Sequence, residues 1–302
     1  YEKMRTCLID KVTVRRTRNN ILNDPGYKAD IQAQGIVFPE ILPPKELIYQ
    51  MDPDTSNRFY DTLSSLSDEE YPEHLFYARY RAVEFLKPEY RSHYKNAEHI
   101  GRTLAGIYRV HMVKRLESSF YAFKRSLKTL LRITSDMIKM FEENKVIIAP
   151  ELKVKDLQAK DMELDEIIEY AISKGYIAEN IVFTADSFNP QFIEMLKSDK
   201  ALLEKLNNNW EKENDDPKYD LFLTKFNTEF LNSDTNHSGK LVIFSESVDT
   251  LTYLYKRLTE DVGRGDVLMV TAANRKHLFD TIKNNFDANA DNDEGKYNVI
   301  LT

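Results

Sequence analysis

Cysteine is almost absent: Cys7 is the only one in 302 residues. A lone thiol closes no internal disulfide and furnishes no cysteine-rich metal site, so a reducing, cytoplasmic setting is the economical expectation. Glycine and proline are scarce as well, at nine and ten, which excludes collagen-like and low-complexity chains. No apolar run approaches the roughly eighteen residues of a membrane span, so no membrane partner is expected. The opening Tyr1-Glu2-Lys3-Met4-Arg5 lacks a signal-peptide core and an initiator methionine. Six histidines are scattered, and no pair has metal-ligand spacing on one helix face. What the chain does have is core material: 42% hydrophobic residues, with 17 Tyr and 16 Phe. That composition excludes disorder, and the length suits about two domains.

The net charge of −7 argues against a generic polyanion binder. It hides an asymmetry, because Arg79 to Arg132 holds thirteen Lys and Arg against four Glu, whereas acids outnumber bases from Glu142 to Asp234. A positive stretch in an acidic chain points either to a localised anionic partner or to two faces that attract each other.

Three zones follow from pattern. Residues 1–50 are mixed, with a strand at Val12-Thr13-Val14, a short helix from Arg15 to Leu22, a turn at Pro25-Gly26 and extended Pro-rich chain from Phe38 to Ile48. Residues 51–235 read as almost wholly helical. Leu104, Ile107, Val113, Leu116, Phe120, Phe123, Leu127, Leu130 and Phe141 keep one apolar stripe, which predicts a single very long helix over Gly101–Phe141. At about 1.5 Å per residue it would span about 60 Å. Further helices are expected over Leu164–Ile172, closed by Gly175, and along Phe192–Leu206 and Tyr219–Phe230, with breaks at Pro190 and Asn214–Pro217. In residues 236–302 short apolar strands (Lys240–Ser245, Val267–Val270, Tyr297–Leu301) alternate with helices (Val248–Leu258, Asn274–Phe286), the grammar of a covered parallel sheet. The fold class expected is mainly α with a partial α/β region of about three strands. The incomplete sheet makes a piece of a longer protein the expectation.

Several motifs fail on inspection. Gly101-Arg-Thr-Leu-Ala-Gly106 copies the start of a phosphate loop, but Ile107-Tyr108 stand where Lys-Ser/Thr must follow. Asp68-Glu69-Glu70 and Asp165-Glu166 end no apolar strand; Asp68 reads as the neighbourhood of a helix N-cap, Asp165 as a solvated face. The run Asp287–Asp293 begins like a calcium loop, yet Asn292 and Asn298 occupy the positions that need Gly and Glu. Asn236-His-Ser238 is a formal glycosylation sequon without meaning in a cytoplasmic chain. No nucleophile–base–acid set can be assembled.

Two segments are more specific. Val14-Arg-Arg-Thr-Arg-Asn-Asn-Ile21, followed by Phe38-Pro-Glu40 and Pro43-Pro-Lys-Glu46, resembles the end of the first motor lobe in Swi/Snf-family ATP-dependent translocases of helicase superfamily two. Lys240-Leu-Val-Ile-Phe-Ser-Glu246, with Asp249-Thr-Leu251 beyond it, resembles motif IV of that family, which opens the second RecA-like lobe. Thr271-Ala272, Asn274-Arg275, Asn285-Phe-Asp287 and Lys114-Arg-Leu-Glu-Ser-Ser119 are similar to a prokaryotic branch, and Tyr297–Thr302 looks like the strand leading into motif V. The resemblance implies the tail of motor lobe one (1–50), a helical insertion domain (51–235) and the first half of an incomplete RecA-like second lobe (236–302). It implies a helicase or translocase acting on nucleic acid, duplex DNA first. The remaining lobe halves would be partners within the same polypeptide. ATP and magnesium would belong to that parent protein, since phosphate loop, acidic box and arginine finger are missing from these residues. No catalytic, cofactor or metal residue is assigned, and the chain alone is expected to hydrolyse no ATP.

The nucleic-acid candidates are Arg15, Arg16 and Arg18; Lys114, Arg115, Arg125, Lys128 and Arg132, beside Lys124; and Ser245. The first group suits either the lobe-facing surface of the family or a structural ion-pair helix. The second can form one positive face for phosphates or pair with the acidic 142–234 zone. Ser245 stands where parallel sheets bind ligands, at a strand's carboxyl end, or else caps the next helix. Tyr77, Tyr80, Tyr90, Tyr94 and Tyr108 interleave with basic residues, as for base stacking or as core. The rival to a motor is a stand-alone helical adaptor whose charged faces bind protein.

Overall fold

A computed structural model describes residues 17–35, 42–91, 97–148, 182–287 and 295–302. Outside these lie the expected strand at Val12–Val14, Arg15 and Arg16, Tyr94, the helix at Leu164–Ile172 with Gly175 and Asp165-Glu166, and all of the calcium-like run except Asp287. The chain forms two compact units, residues 1–48 and 49–302.

In the first unit, α1 (Arg18–Asn23) and α2 (Pro25–Ala33) follow from their caps. Thr17 Oγ1 accepts from Asn20 N at 3.3 Å. Asp24 ends α1 and opens α2, accepting from Gly26 N at 2.9 Å, with Pro25 at the position that needs no N–H. Residues 42–48 run on without regular structure.

The second unit begins with α3 (Pro53–Ser67), capped by Asp52. A 3₁₀ helix (Ala78–Phe85) and α4 (Pro88–Arg91) lead to α5 (Ala97–Ser118) and α6 (Phe120–Glu142). The single long helix expected over Gly101–Phe141 is therefore two helices. Ser119 is extended (φ −160°, ψ 148°), and its side chain accepts from Ala122 N to start α6 afresh. The apolar stripe runs through the break unaltered, because both helices feed one core, so periodicity alone does not reveal it. Val113 on that stripe is half-buried. Asp68 is the C-cap of α3, not an N-cap neighbour; its carboxylate accepts from Glu70 N in the turn that follows. The middle zone also holds an unexpected antiparallel pair, β1 (Val146–Ile147) with β2 (Val182–Phe183), too short to leave an alternating pattern. Then come α7 (Gln191–Glu211) and α8 (Pro217–Lys225), the latter running into a π turn at Phe226–Phe230.

One core cluster joins α3, α5, α6 and α7 through Phe59, Tyr108, Leu116, Phe123, Leu203 and Trp210. Phe123 and Trp210 are wholly buried, their rings meeting edge-on at 5.4 Å. Trp210 Nε1 donates to Thr62 Oγ1 at 2.9 Å, satisfying its one polar atom. A neighbouring cluster gathers Phe141, Phe183, Phe188 and Phe192 around the β1–β2 pair.

Tyr77 occupies the left-handed region (φ 52°), a costly conformation for an aromatic residue. Asp199 of α7 holds it there: its two oxygens accept from Phe76 N at 2.7 Å and Ala78 N at 2.8 Å, on either side of the strained residue. Burial pushes the Asp199 carboxyl up to about 6, against a pull downward from those two N–H groups.

The last elements are β3 (Leu241–Ile243), α9 (Val248–Lys256), β4 (Val267–Met269), α10 (Phe279–Phe286) and β5 (Val299–Leu301). The strands are parallel in the order β3-β5-β4. The chain steps two places from β3 to β4 and returns one place to β5, so right-handed crossovers must put α9 and α10 on opposite faces. Side chains agree. Leu251 and Leu258 pack with Val267, Val299 and Leu301 on one face, and Ile282 and Phe286 with Leu268 and Ile300 on the other. Phe222, Phe226 and Phe230 pack with the first of these clusters. The helix expected from Asn274 begins only at Phe279, because the preceding residues form turns in which Asn274 Oδ1 accepts from Thr271 N at 2.7 Å. No helix among the described residues is long and apolar enough to cross a membrane.

Two outcomes test this packing. Phe123→Ala should lower unfolding free energy by about 3–5 kcal/mol in a denaturant titration; a loss under about 0.5 kcal/mol, as at a surface site, would contradict the core. For Asp199, the folded carboxyl keeps its proton up to about 6 and the unfolded one only to 3.8. Stability measured against Asp199→Asn should therefore be greatest below that window and decline as pH rises through it, by up to about 3 kcal/mol.

Candidate functional site

The break between α5 and α6 abuts the N-terminus of α9, and the groups that meet there are polar. Ser247 caps α9, its Oγ accepting from Thr250 N at 3.1 Å. The Thr250 hydroxyl lies 2.8 Å from that of Ser118 and 2.9 Å from that of Ser119. Arg115, on the last turn of α5, is only 3% exposed. It donates to Ser247 Oγ and, at 3.4 Å, to Asp249 Oδ2. Asp249 Oδ1 takes Arg125 of α6 at 2.8 Å, so one carboxylate bridges the two helices. Lys114 pairs with Glu246 at 2.7 Å. Lys218 of α8 donates to the last carbonyls of α5, Glu117 O at 2.8 Å and Ser118 O at 3.1 Å, the cation expected at a helix C-terminus.

Beside this joint opens a cleft of about 560 Å³, with Lys114, Arg115, Lys218, Ser245, Glu246 and Tyr253 among its walls. Asp216 lies at its edge, capping α8 through Tyr219 N and accepting from the Tyr253 hydroxyl at 2.8 Å. Burial, reinforced by the Asp216 charge, raises the Tyr253 pKa well above the phenol range, so this hydroxyl stays protonated. The Tyr253 ring also stacks on Tyr121 at 5.2 Å.

The expected site residues are only partly brought together. Ser245 does stand at the carboxyl end of β3, its N–H bonded to Thr302 O at 2.8 Å. It does not cap α9; that role falls to Ser247, whose own N–H donates to Ser245 Oγ at 3.2 Å. Lys114, Arg115 and Arg125 converge on the joint. Lys128 and Arg132 continue along α6, paired with Glu211 at 3.0 Å and Asp136 at 3.5 Å. Lys124 donates to Glu213 O. The pairing expected with the acidic 142–234 zone is thus realised at Glu211, Lys124 meeting only the main-chain carbonyl of Glu213, whereas Lys114, Arg115 and Arg125 take their carboxylates from Glu246 and Asp249, beyond that zone. Arg18 opens α1 in the other unit and is exposed. Of the tyrosines, Tyr77, Tyr80 and Tyr108 are core, Tyr80 and Tyr108 stacking on each other at 3.7 Å. Sequence reasoning did not single out Glu246, Ser247, Lys218 or Tyr253 as members of this site. A Ser three residues before Thr250, just beyond a strand, was the one available signal.

Gly101–Gly106 lies inside α5 and so forms no phosphate cradle. Among the described residues no group of three His, Cys, Asp or Glu is placed to hold a metal. Compared with protein-family models, curated proteins and solved structures, the chain matches none.

Burial separates the two arginines on Asp249. Arg115→Ala should cost about 1.5–3 kcal/mol, since it removes a charged donor from Ser247 Oγ and Asp249 Oδ2 at a side chain 4% exposed, while Asp249 keeps Arg125. Arg125→Ala, at a side chain 57% exposed, should cost under about 1 kcal/mol. Equal losses in parallel denaturant titrations would contradict this division.

Proposed function

We propose that the chain contributes an inter-lobe connector and a nucleic-acid-facing surface to an ATP-driven helicase or translocase, acting on duplex DNA first. The observation that carries this reading is the placement of Ser245. It sits at the carboxyl edge of a parallel sheet with helices on both faces, in a cleft that also holds Lys114, Arg115 and Lys218. Ligands of open parallel sheets bind at that edge, and cations beside a strand-end hydroxyl suit phosphate oxygens. The resemblance of Lys240–Glu246 to motif IV supports the same assignment, as does the fit of β3, β4 and β5 to the start of a RecA-like lobe. Residues 51–235 are then the helical insertion.

A protein-binding adaptor is favoured by one specific observation. Val242 on β3 and Phe244 just beyond it are 45% and 79% exposed, and β3 is an edge strand. Sheet edges of this kind pair with other chains.

Salt dependence separates the readings. If Arg125, Lys128 and Arg132 contact phosphates, duplex affinity falls steeply with salt. The variant Arg125→Glu/Lys128→Glu/Arg132→Glu then loses up to about three units of log–log slope. Identical slopes would remove those residues from the interface, and no duplex binding by either protein would leave the adaptor reading.

A further inference from the structure

We propose that the turn Glu246–Asp249 is an internal anion that masks the cationic corner formed by Lys114, Arg115 and Arg125, and that an external polyanion binds this corner by displacing it. The proposal rests on the nucleic-acid-facing reading above and adds that the surface is held shut in the chain as it folds. Three observations carry it.

The first is stereochemical. Asp249 lies between two guanidinium groups, Oδ1 at 2.8 Å from Arg125 Nη1 and Oδ2 at 3.4 Å from Arg115 Nη1. A phosphodiester offers the same pair of charged oxygens on one centre, so the corner already has the donor geometry that a backbone phosphate needs. Glu246 Oε2 occupies Lys114 at 2.7 Å in the same way. The second is accessibility. The Lys114–Glu246 side chains are 58% and 81% exposed, a weak surface pair that a polyanion exchanges readily, and Arg125 is 57% exposed, so its guanidinium is reachable although Asp249 is 17% exposed. Arg115, whose side chain is 4% exposed, becomes reachable only when the turn moves. The third is position. Glu246 lies in the connection between β3 and α9 and Asp249 in the first turn of α9, both beside the open cleft, so one movement of this turn withdraws the carboxylates from all three cations, Arg115 keeping its contact to His111.

The test compares wild type with Glu246→Gln/Asp249→Asn, titrating binding against salt with two probes, inorganic polyphosphate and a short DNA duplex. A control, Glu194→Gln/Glu204→Gln, removes equal charge from exposed positions on α7. Unmasking should tighten binding about tenfold at low salt. It should also steepen the log–log slope by about two, because cations that had internal partners now release counterions on binding; the control should stay near wild type. Glu246→Gln alone, at an exposed side chain that folding does not need, should add about one unit. The same gain for both probes supports masking and the nucleic-acid reading together. A gain for polyphosphate without duplex binding supports masking and overturns that reading. Equal slopes in wild type and the double variant, or as large a gain in the control, overturn masking while duplex binding by wild type keeps the reading. Binding of neither probe by any variant overturns both.

Discussion

The arrangement of the second unit depends on how a helix break is made polar enough to hold a second layer of structure. At Ser119 the backbone leaves the helix, and several of the groups freed there find partners. The hydroxyl caps α6, Lys218 takes the last carbonyls of α5, and Thr250 meets both serine hydroxyls. Arg115 then fixes the approach of α9 by holding its capping residue and, through Asp249, sharing a carboxylate with Arg125. A buried pair of this kind adds little net stability compared with an apolar contact, but breaking it is expensive. It therefore specifies one placement of α9, and with it of β3 and Ser245.

Around that joint the two parts of the unit are packed differently. The helical part is built on large aromatic side chains, with Phe123 and Trp210 fully buried. It tolerates a left-handed Tyr77 because Asp199 takes the N–H groups on either side. The sheet is small, and its regularity comes from crossover handedness and from asparagines that serve the backbone. Asn274 closes the turn after β4, and Asn285 accepts from Lys296 N and Tyr297 N ahead of β5. These backbone contacts are the visible work of the two asparagines.

Much of this was legible in the residues. Strand–helix alternation after Asn236 predicted three parallel strands, since fully apolar runs such as Leu241–Ile243 have few other uses. Pro190 and Pro217 marked helix starts where they were expected. The break at Ser119 was not legible. The stripe through Leu116, Phe120 and Phe123 keeps its period across it, and no Gly or Pro interrupts. The hydroxyl that meets Ser118 and Ser119 there belongs to Thr250, about 130 residues away in sequence. Of the site, Ser245 and the basic run were visible as residue types in suggestive places. Their partners were not, because ion pairing across such a separation leaves no local pattern.

The central claim is that Arg115 and Asp249 act together to seat the sheet on the helices. A double-mutant cycle with Arg115→Leu and Asp249→Leu, read from denaturant unfolding, measures that directly. The account predicts that the double variant is more stable than the sum of the single losses implies, with a coupling of about 1–3 kcal/mol between contacting partners. Additivity within about 0.5 kcal/mol, the behaviour of independent sites, would contradict it.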